Sequence, residues 1–196
     1  MEIIKIIYNK TKDYTVYFDN GESITLLEDT LIKENISKGN VIDEEKLASI
    51  LFENRKNQAF ETALNYLKKL RTSVEVANHL QDKGFSKDIA DHTLKRLRRL
   101  NYIDDEKYAA AYCRDKININ RYGPQKIAFF LKSKGIDESI INSSLSDLDW
   151  DKVIDNLKKD GTNKLNSLKQ DDKRWEKTLR YLLGKGYSYD LIKKHL

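Results

Sequence analysis

The stretch Leu131-Lys132-Ser133-Lys134-Gly135-Ile136-Asp137 decides the fold, because related stretches occur three times in the chain, 51 residues apart. The other two copies run from Leu80 to Ser86 and from Leu182 to Ser188, and each keeps the leucine, the Lys-Gly pair, a bulky apolar residue and a capping residue. Glycine in the left-handed conformation ends a helix, and Ser or Asp two residues later caps the next one. The pattern therefore predicts a helical unit that recurs as a repeat array.

Each repeat is predicted to hold three helices, the central one ending at the Lys-Gly pair. The central helices are expected to begin at Thr72, where Glu75 completes a capping-box spacing, at Gly123-Pro124, and around Asp171-Asp172. The first helices are expected over residues 59–69, 105–118 and 151–159 or beyond, with residues 160–170 as a link in the third repeat.

We therefore predict a mainly α fold, with three tandem three-helix repeats in an elongated array behind a small N-terminal antiparallel β-sheet plus helix. The expected divisions are an N-terminal module over residues 1–55 and repeats over residues 56–104, 105–150 and 151–196.

The first thirty residues predict a three-stranded antiparallel sheet, because apolar and polar residues alternate along three short segments. The apolar residues predicted to share a face in each strand are Ile4, Ile6 and Tyr8; Tyr14, Val16 and Phe18; and Ile24 and Leu26. Asp19-Asn20-Gly21 predicts a hairpin turn between the last two strands. Such a sheet is marginal alone, so we expect it to pack on a helix starting near Glu28. From the capping residue Asp43 onward the apolar residues have helical spacing. This spacing leaves open whether residues 44–69 form one helix or two.

The charge of the chain is unevenly distributed. The net charge is +5, but residues 1–55 carry 7 basic and 11 acidic side chains, whereas residues 56–196 carry 29 basic and 20 acidic ones. Within the repeats the balance is +4, 0 and +5. A basic array suits a polyanionic partner such as nucleic acid, although lysine-rich helices that are merely well solvated give the same balance. One cysteine, no signal peptide and no run of about 20 apolar residues favour a cytoplasmic protein with no membrane contact.

No set of residues has the spacing of a catalytic or metal site. The three histidines, His79, His92 and His195, lie in unrelated surroundings, and Cys113 sits between Tyr112 and Arg114, as expected for a buried thiol. The acidic triplet that starts at Asp104 falls where a helix must begin, so capping explains it better than metal binding. We expect no enzymatic activity, no metal and no cofactor.

Two blocks of the second repeat carry a family resemblance. Residues 102–109, Tyr-Ile-Asp-Asp-Glu-Lys-Tyr-Ala, resemble an Asp-Asp-Glu-Arg-Phe-Ala block, and residues 123–136 resemble a Gly-x-x-x-Ile-x-x-x-Leu-x-x-Lys-Gly-Ile block. Leu80 to Phe85 is similar to the end of the latter. The chain thereby resembles the RecX family, the regulatory proteins of the bacterial recombinase RecA, over residues ~57–196. Lysines replace many of the family's arginines, and Thr178-Leu179 stands where the second repeat has Ile127-Ala128.

The resemblance implies a regulator of RecA in DNA repair, homologous recombination and the SOS response. It implies binding to the RecA filament on single-stranded DNA, along its groove, with inhibition of strand exchange, ATPase and coprotease activity. Single-stranded DNA and, more weakly, duplex DNA are the expected nucleic-acid partners, and the protein is expected to be a monomer.

Clusters of basic residues on the repeats are the candidate contacts to filament or nucleic acid. The candidates are Lys95, Arg96, Arg98 and Arg99 in the first repeat; Arg114, Lys116, Arg121, Tyr122, Lys126, Lys132 and Lys134 in the second; and Lys173, Arg174, Lys177 and Arg180 in the third. Stabilisation of a helix C-terminus accounts for one or two of the first four, and Tyr122 suits packing as well as base stacking.

Two other functions remain open from the residues alone. The helices joined through Lys83-Gly84-Phe85-Ser86 resemble a helix-turn-helix, so the chain suits a sequence-specific DNA-binding protein with residues 87–99 as the recognition helix. The apolar face of that helix is expected to be used in packing, which disfavours this function. The other alternative is a scaffold that binds no nucleic acid.

Overall fold

The computed structural model describes all 196 residues and consists of ten α-helices, one π-helical segment and a three-stranded antiparallel sheet. The elements are, in chain order, β1 (Ile3–Tyr8), β2 (Asp13–Phe18), β3 (Ser23–Leu27), α1 (Glu28–Lys33), α2 (Glu44–Tyr66), α3 (Ser73–Asp82), α4 (Lys87–Arg99), α5 (Asp105–Asp115), the π-helical segment (Lys116–Asn120), α6 (Pro124–Ser133), α7 (Glu138–Ser146), α8 (Trp150–Ser167), α9 (Arg174–Gly184) and α10 (Tyr189–His195). The predicted fold class, mainly helical with a small N-terminal sheet, is confirmed.

The chain divides into two compact units. Unit 1 comprises Met1–Lys69 and Val76–Tyr102, and unit 2 comprises Leu70–Glu75 and Ile103–Leu196. The first turn of α3 belongs to unit 2 and the rest of that helix to unit 1, so the division falls inside a helix. Unit 2 holds all of the second and third predicted repeats.

The sheet of unit 1 has the predicted strands and hairpin, in the order β1-β2-β3. Gly21 takes a φ of 88° in the turn between β2 and β3. Val16, Phe18 and Leu26 are buried, as their alternation predicts. In β1 the buried residue is Ile3, whereas Ile4 is exposed, because the pairing with β2 shifts register between Ile3 and Lys5.

Helix α2 is continuous from Glu44 to Tyr66, which answers the open question about residues 44–69. The prediction of a separate helix from residue 59 is wrong. The polar run at residues 54–57 does not break the helix, because its two asparagines are buried and bonded. Asn54 Oδ1 accepts hydrogen bonds from Leu27 N (2.8 Å) and Thr30 Oγ1 (3.1 Å), and Asn57 Nδ2 donates to Thr30 Oγ1 (2.9 Å). These bonds attach α2 to the sheet and α1, and Ile50 closes the same core.

The three Lys-Gly turns have the same geometry. Gly84, Gly135 and Gly186 take φ values of 79°, 74° and 92°. In each turn the N–H of the next residue donates to the leucine carbonyl five positions back, at 3.1–3.2 Å, which is the Schellman arrangement. The apolar residues that follow the glycines are buried, and Ser86, Asp137 and Ser188 cap α4, α7 and α10 with their side chains. The helix ends and starts predicted from the repeat are therefore confirmed.

The third repeat differs from prediction at two boundaries. Helix α8 runs to Ser167, so the predicted link over residues 160–170 is wrong. The helix continues because Asp160 and Gly161 are buried, and a Cβ on Gly161 would lie 2.6 Å from Leu196. Helix α9 begins at Arg174 rather than around Asp171-Asp172, since Asp171 accepts a hydrogen bond from the Lys173 N–H and holds the preceding turn.

Within unit 2, the Lys-Gly turns lie on the first turns of earlier central helices. The Thr72 hydroxyl, at the start of α3, donates to the Lys134 carbonyl at 2.9 Å. The backbone N–H groups of Gly123 and Gln125, at the start of α6, donate to the carbonyls of Lys185 (2.8 Å) and Gly186 (3.0 Å). The first-turn N–H groups of α6, which a helix itself cannot satisfy, thus find acceptors in the turn of the next repeat.

Replacing Gly186 with alanine is expected to lower the free energy of unfolding of unit 2 by about 3 kcal/mol, because the added Cβ is strained at a positive φ and clashes with packed backbone. That Cβ would lie 2.5 Å from the backbone nitrogen of Lys126. Both tryptophans, Trp150 and Trp175, belong to unit 2, so urea unfolding followed by tryptophan fluorescence reports on this unit.

The matched control is Gly184→Ala, two residues away, where a Cβ meets nothing within 4 Å. It is expected to keep or raise stability by about 0.5–1 kcal/mol, as glycine-to-alanine changes in helices do. Equal urea midpoints for the two variants would contradict the close approach of the two backbones.

Candidate nucleic-acid interface

The basic cluster at the end of α4 separates into one packed and three exposed residues. The Arg96 guanidinium lies 3.8 Å from the centre of the Phe60 ring and donates to Asn57 Oδ1 at 3.1 Å. Lys95, Arg98 and Arg99 are exposed. Leu100, directly after α4, is 47% exposed. Arg96 thus joins α4 to α2, and the other three cations remain on the surface of unit 1.

A concavity of about 490 Å³ lies beside this cluster and contains basic residues that sequence reasoning missed. Lys33 and Lys56 line it together with Arg96 and Arg99. Lys33 and Lys56 each form an ion pair with Glu53. His92 also lines this concavity, and its partial burial and the positive charge of Lys56 lower its pKa. No sequence signal pointed to Lys33, because its approach to α2 depends on how α1 folds back.

Three cations of the second and third repeats are held in two separate groups of ion pairs within unit 2. Asp160 is only 6% exposed, and its oxygens pair with Arg121 (2.8 Å) and Lys185. The hydrogen bond from Arg121 to this carboxylate raises the pKa of the guanidinium. Lys134 pairs with Glu75 at 2.8 Å, and this bond raises the pKa of its ammonium. Arg121, Lys134 and Lys185 therefore stabilise the contacts between helices of unit 2.

Aromatic rings from helix α6 and from Tyr122, just before it, form a cluster. The same helix carries the predicted cations Lys126 and Lys132. Tyr122 stacks on Phe130, with ring centroids 6.2 Å apart and planes inclined by 19°. The Lys126 ammonium lies 4.5 Å above the Tyr122 ring and donates to the Gly184 carbonyl at 2.9 Å. Phe129, which the sequence reasoning did not select, is 69% exposed and meets Phe130 edge to face at 5.7 Å. The available signal was the Phe129-Phe130 pair in a predicted helix that contains no acidic residue.

Of the remaining candidates of the second repeat, Arg114 and Lys116 lie on α5 and at the start of the π-helical segment, and Lys132 lies on α6. Arg114 lines a groove of about 850 Å³ between α5 and α7, where Glu106, Asp147 and Asp149 also lie. The Lys116 ammonium lies 5.1 Å above the Tyr112 ring. Lys132 is exposed on α6. The carboxylates around Arg114 weaken the attraction of this groove for a polyanion.

The candidates of the third repeat gather at the start of α9, and half of them have acidic partners. Lys177 pairs with Asp171, and Arg180 pairs with Glu176 at 2.9 Å. Lys173 and Arg174 are exposed at the first turn of the helix. Such exposed ion pairs are weak, so a phosphate can displace their carboxylates.

The groups considered for chemistry have structural environments. Cys113 is 3% exposed, and burial raises the pKa of its thiol to about 11, which leaves little thiolate at neutral pH. His79 stacks on Tyr66, and the Asp104 carboxylate caps α5 by accepting the Lys107 N–H. No group of three or more His, Cys, Asp or Glu residues could hold a metal ion. No helix combines the length and the apolar character needed to cross a membrane.

Comparison with known proteins finds one family along most of the chain. Sequence models of the first, second and third three-helix domains of RecX match residues 59–97, 104–145 and 152–196. A regulatory protein RecX from Finegoldia magna is 34% identical over 200 residues, covering 99% of this chain and 98% of its own length. The chain belongs to the RecX family. A RecX from Clostridium perfringens is 32% identical over 180 residues, covering 89% of this chain and 84% of its own.

Solved RecX structures share the fold. A crystal structure of a regulatory protein RecX matches with a TM-score of 0.84 at 29% identity and covers 98% of both chains. The crystal structure of RecX from Lactobacillus salivarius matches with a TM-score of 0.69 at 29% identity, covering 72% of this chain and 94% of its own. The suspected membership in the RecX family is confirmed over nearly the whole chain.

The pairing of Glu75 with Lys134 is expected to make unit 2 less stable in acid. Burial alone would raise the pKa of Glu75, but the hydrogen bonds from Lys134 and the Thr72 N–H outweigh it and lower the pKa below the ordinary 4.5. Its contribution is therefore present above pH 4.5 and is lost as pH falls through the lower folded-state pKa. Glu75→Gln, which keeps the cap, is expected to lose about 1 kcal/mol at pH 7, and its difference from the parent should shrink as pH falls through the folded-state pKa of Glu75.

The measurement is the urea midpoint of tryptophan fluorescence from pH 7 to pH 3. Glu138→Gln, an exposed change at the start of α7, is the control and should keep the acid dependence of the parent. A constant difference between the Glu75→Gln variant and the parent at every pH would show that the ion pair does not contribute.

Proposed function

We propose that this chain binds the RecA filament formed on single-stranded DNA and inhibits the recombinase, ATPase and coprotease activities of RecA. The observation that carries the proposal is the match, over 99% of the chain, to a protein named regulatory protein RecX. The name describes this relative as a regulatory protein, and the excess of basic residues over 56–196 in our chain supports a polyanionic partner. We place the protein in the cytoplasm as a monomer without enzymatic activity or cofactor.

The exposed cations of the repeats support a contact to phosphates. Residues 56–196 carry 29 basic and 20 acidic side chains, and several of the basic ones lie on the surface outside the ion pairs described above. These are Lys95, Arg99, Lys132, Lys173 and Arg174, with Arg98 exposed beside the first two. Contact with a filament stays a prediction for these residues and for the other candidates, which are Arg96, Arg114, Lys116, Arg121, Tyr122, Lys126, Lys134, Lys177 and Arg180.

The repeat design supports the proposed mode of inhibition. The division of the chain into an N-terminal module over residues 1–55 and three repeats over residues 56–104, 105–150 and 151–196 stays our proposal. The repeats of unit 2 are held together by backbone hydrogen bonds and buried ion pairs, so their surfaces can bind as one body. In our hypothesis the repeats lie in the filament groove, bridge successive RecA protomers and block either duplex entry or filament growth.

The decisive measurement is the ATPase rate of RecA on single-stranded DNA with and without the pure protein at stoichiometric amounts. We expect the rate to fall, and strand exchange to fall with it. Each phosphate contact to a single strand should add roughly −0.7 to the slope of log K against log salt. Unchanged ATPase and strand exchange would refute the proposal, and a defined motif returned by duplex selection would favour sequence-specific DNA binding instead.

A further inference from the structure

Helix α6 and the residues just before it present an aromatic surface, which we define as Tyr122, Phe129 and Phe130. Its rings are in contact one after another, since Tyr122 stacks on Phe130 and Phe130 meets Phe129 edge to face. Tyr122 also packs against the core of unit 2, which anchors the surface. Phe129 projects beyond it with 69% of its area exposed, so packing does not account for this side chain.

The charges around the aromatic surface favour a polyanion. Helix α6 has no Asp or Glu, whereas every other α-helix of the protein has at least one. Lys126 and Lys132 lie three residues before and after Phe129, which places them near it on the helix surface. Lys132 is exposed and makes no ion pair, and the Lys126 ammonium is held over the Tyr122 ring at 4.5 Å.

An exposed phenylalanine in unit 1 lacks this setting. Phe52 is 53% exposed and has the Lys56 ammonium 4.9 Å above its ring. Lys56, however, pairs with the adjacent Glu53, and the first 55 residues carry more acidic than basic side chains. Exposed aromatic rings thus occur elsewhere on the protein, but the combination with an acid-free basic helix is found at α6.

We propose that the aromatic surface of α6 binds an unpaired base of single-stranded nucleic acid by stacking on Phe129, with Lys126 and Lys132 meeting the adjacent phosphates. Flat rings beside ammonium groups are the arrangement by which proteins hold single strands without sequence preference. A duplex keeps its bases stacked on each other and offers no free face, so the surface suits a single strand. The inference deepens the proposed function, because it assigns the strand of the filament to a named part of the second repeat.

The test uses the full chain and a fluorescein-labelled oligothymidylate, with no RecA present, and follows binding by fluorescence anisotropy. Phe129→Ala is expected to weaken binding about tenfold, within the range found when one base-stacking ring is removed. Phe129→Tyr should restore affinity to within about twofold, whereas Phe129→Leu, which is apolar but not flat, should not. Phe52→Ala is the matched control and should bind as the parent does.

Salt dependence separates stacking from charge. The salt slope of the Phe129→Ala variant should equal that of the parent, because phenylalanine carries no charge. Lys132→Ala should reduce the magnitude of the slope by about 0.7, the loss of one phosphate contact. An equal thermal midpoint for all of these variants is expected, since the side chains replaced are exposed.

Several results would overturn the inference. Failure of the parent protein to bind the oligonucleotide would do so, as would equal affinity of Phe129→Ala and the parent. Loss of RecA inhibition in Phe129→Ala with unchanged affinity for the oligonucleotide would assign the surface to a protein partner instead. By contrast, Phe129-dependent binding by a protein that leaves the RecA ATPase unchanged would refute the proposed function and leave this inference standing.

Discussion

The structure of unit 2 depends on the close approach of two backbones, where the Lys-Gly turn of one repeat lies on the first turn of an earlier central helix. At Gly123 and Gly186 a Cβ on either residue would lie within about 2.3 Å of the other segment. Such an approach is open only to glycine, and it lets helix N–H groups donate to turn carbonyls. Gly186 therefore serves twice, because it closes the end of α9 and leaves room for the backbone at the start of α6.

This packing also determines what the basic residues can do. The lysines before Gly135 and Gly186 pair with Glu75 and Asp160, and Arg121 shares the second carboxylate. These cations are held where the helices meet. Without Arg121 and Lys185, the buried carboxylate of Asp160 would have no partner, which would lower the stability of the fold. Part of the positive charge of the repeats is thus structural, and the number of Lys and Arg residues in a repeat overstates how many are available to a partner.

The sequence predicted the elements whose signals are local and missed those that depend on distant partners. The ends of α3, α6 and α9 follow from a leucine, a glycine and a capping residue within seven positions. By contrast, the unbroken course of α2 depends on Asn54 bonding to β3, and the length of α8 depends on Asp160 meeting Arg121, 39 residues earlier. The candidate cations could be selected from the sequence because they are Lys or Arg residues in clusters. Their ion-pair partners and the exposure of Phe129 depend on tertiary packing, which the spacing of apolar residues does not predict.

The repeats share a turn but differ in the distribution of their charges, and this difference bears on where a polyanion is attracted. The second repeat has a net charge of 0, which would make it the least attractive part of the array for a polyanion. Its charges are segregated, however, since the acids lie on α5, α7 and their flanking turns, and α6 has only lysines. Because salt weakens interactions between exposed charges more than about 10 Å apart, a strand bound at α6, as we propose, would meet the nearby lysines rather than the average charge of the repeat. The charge available to a partner therefore has to be compared helix by helix, and on that scale the neutral second repeat contains a helix whose charged side chains are all lysines.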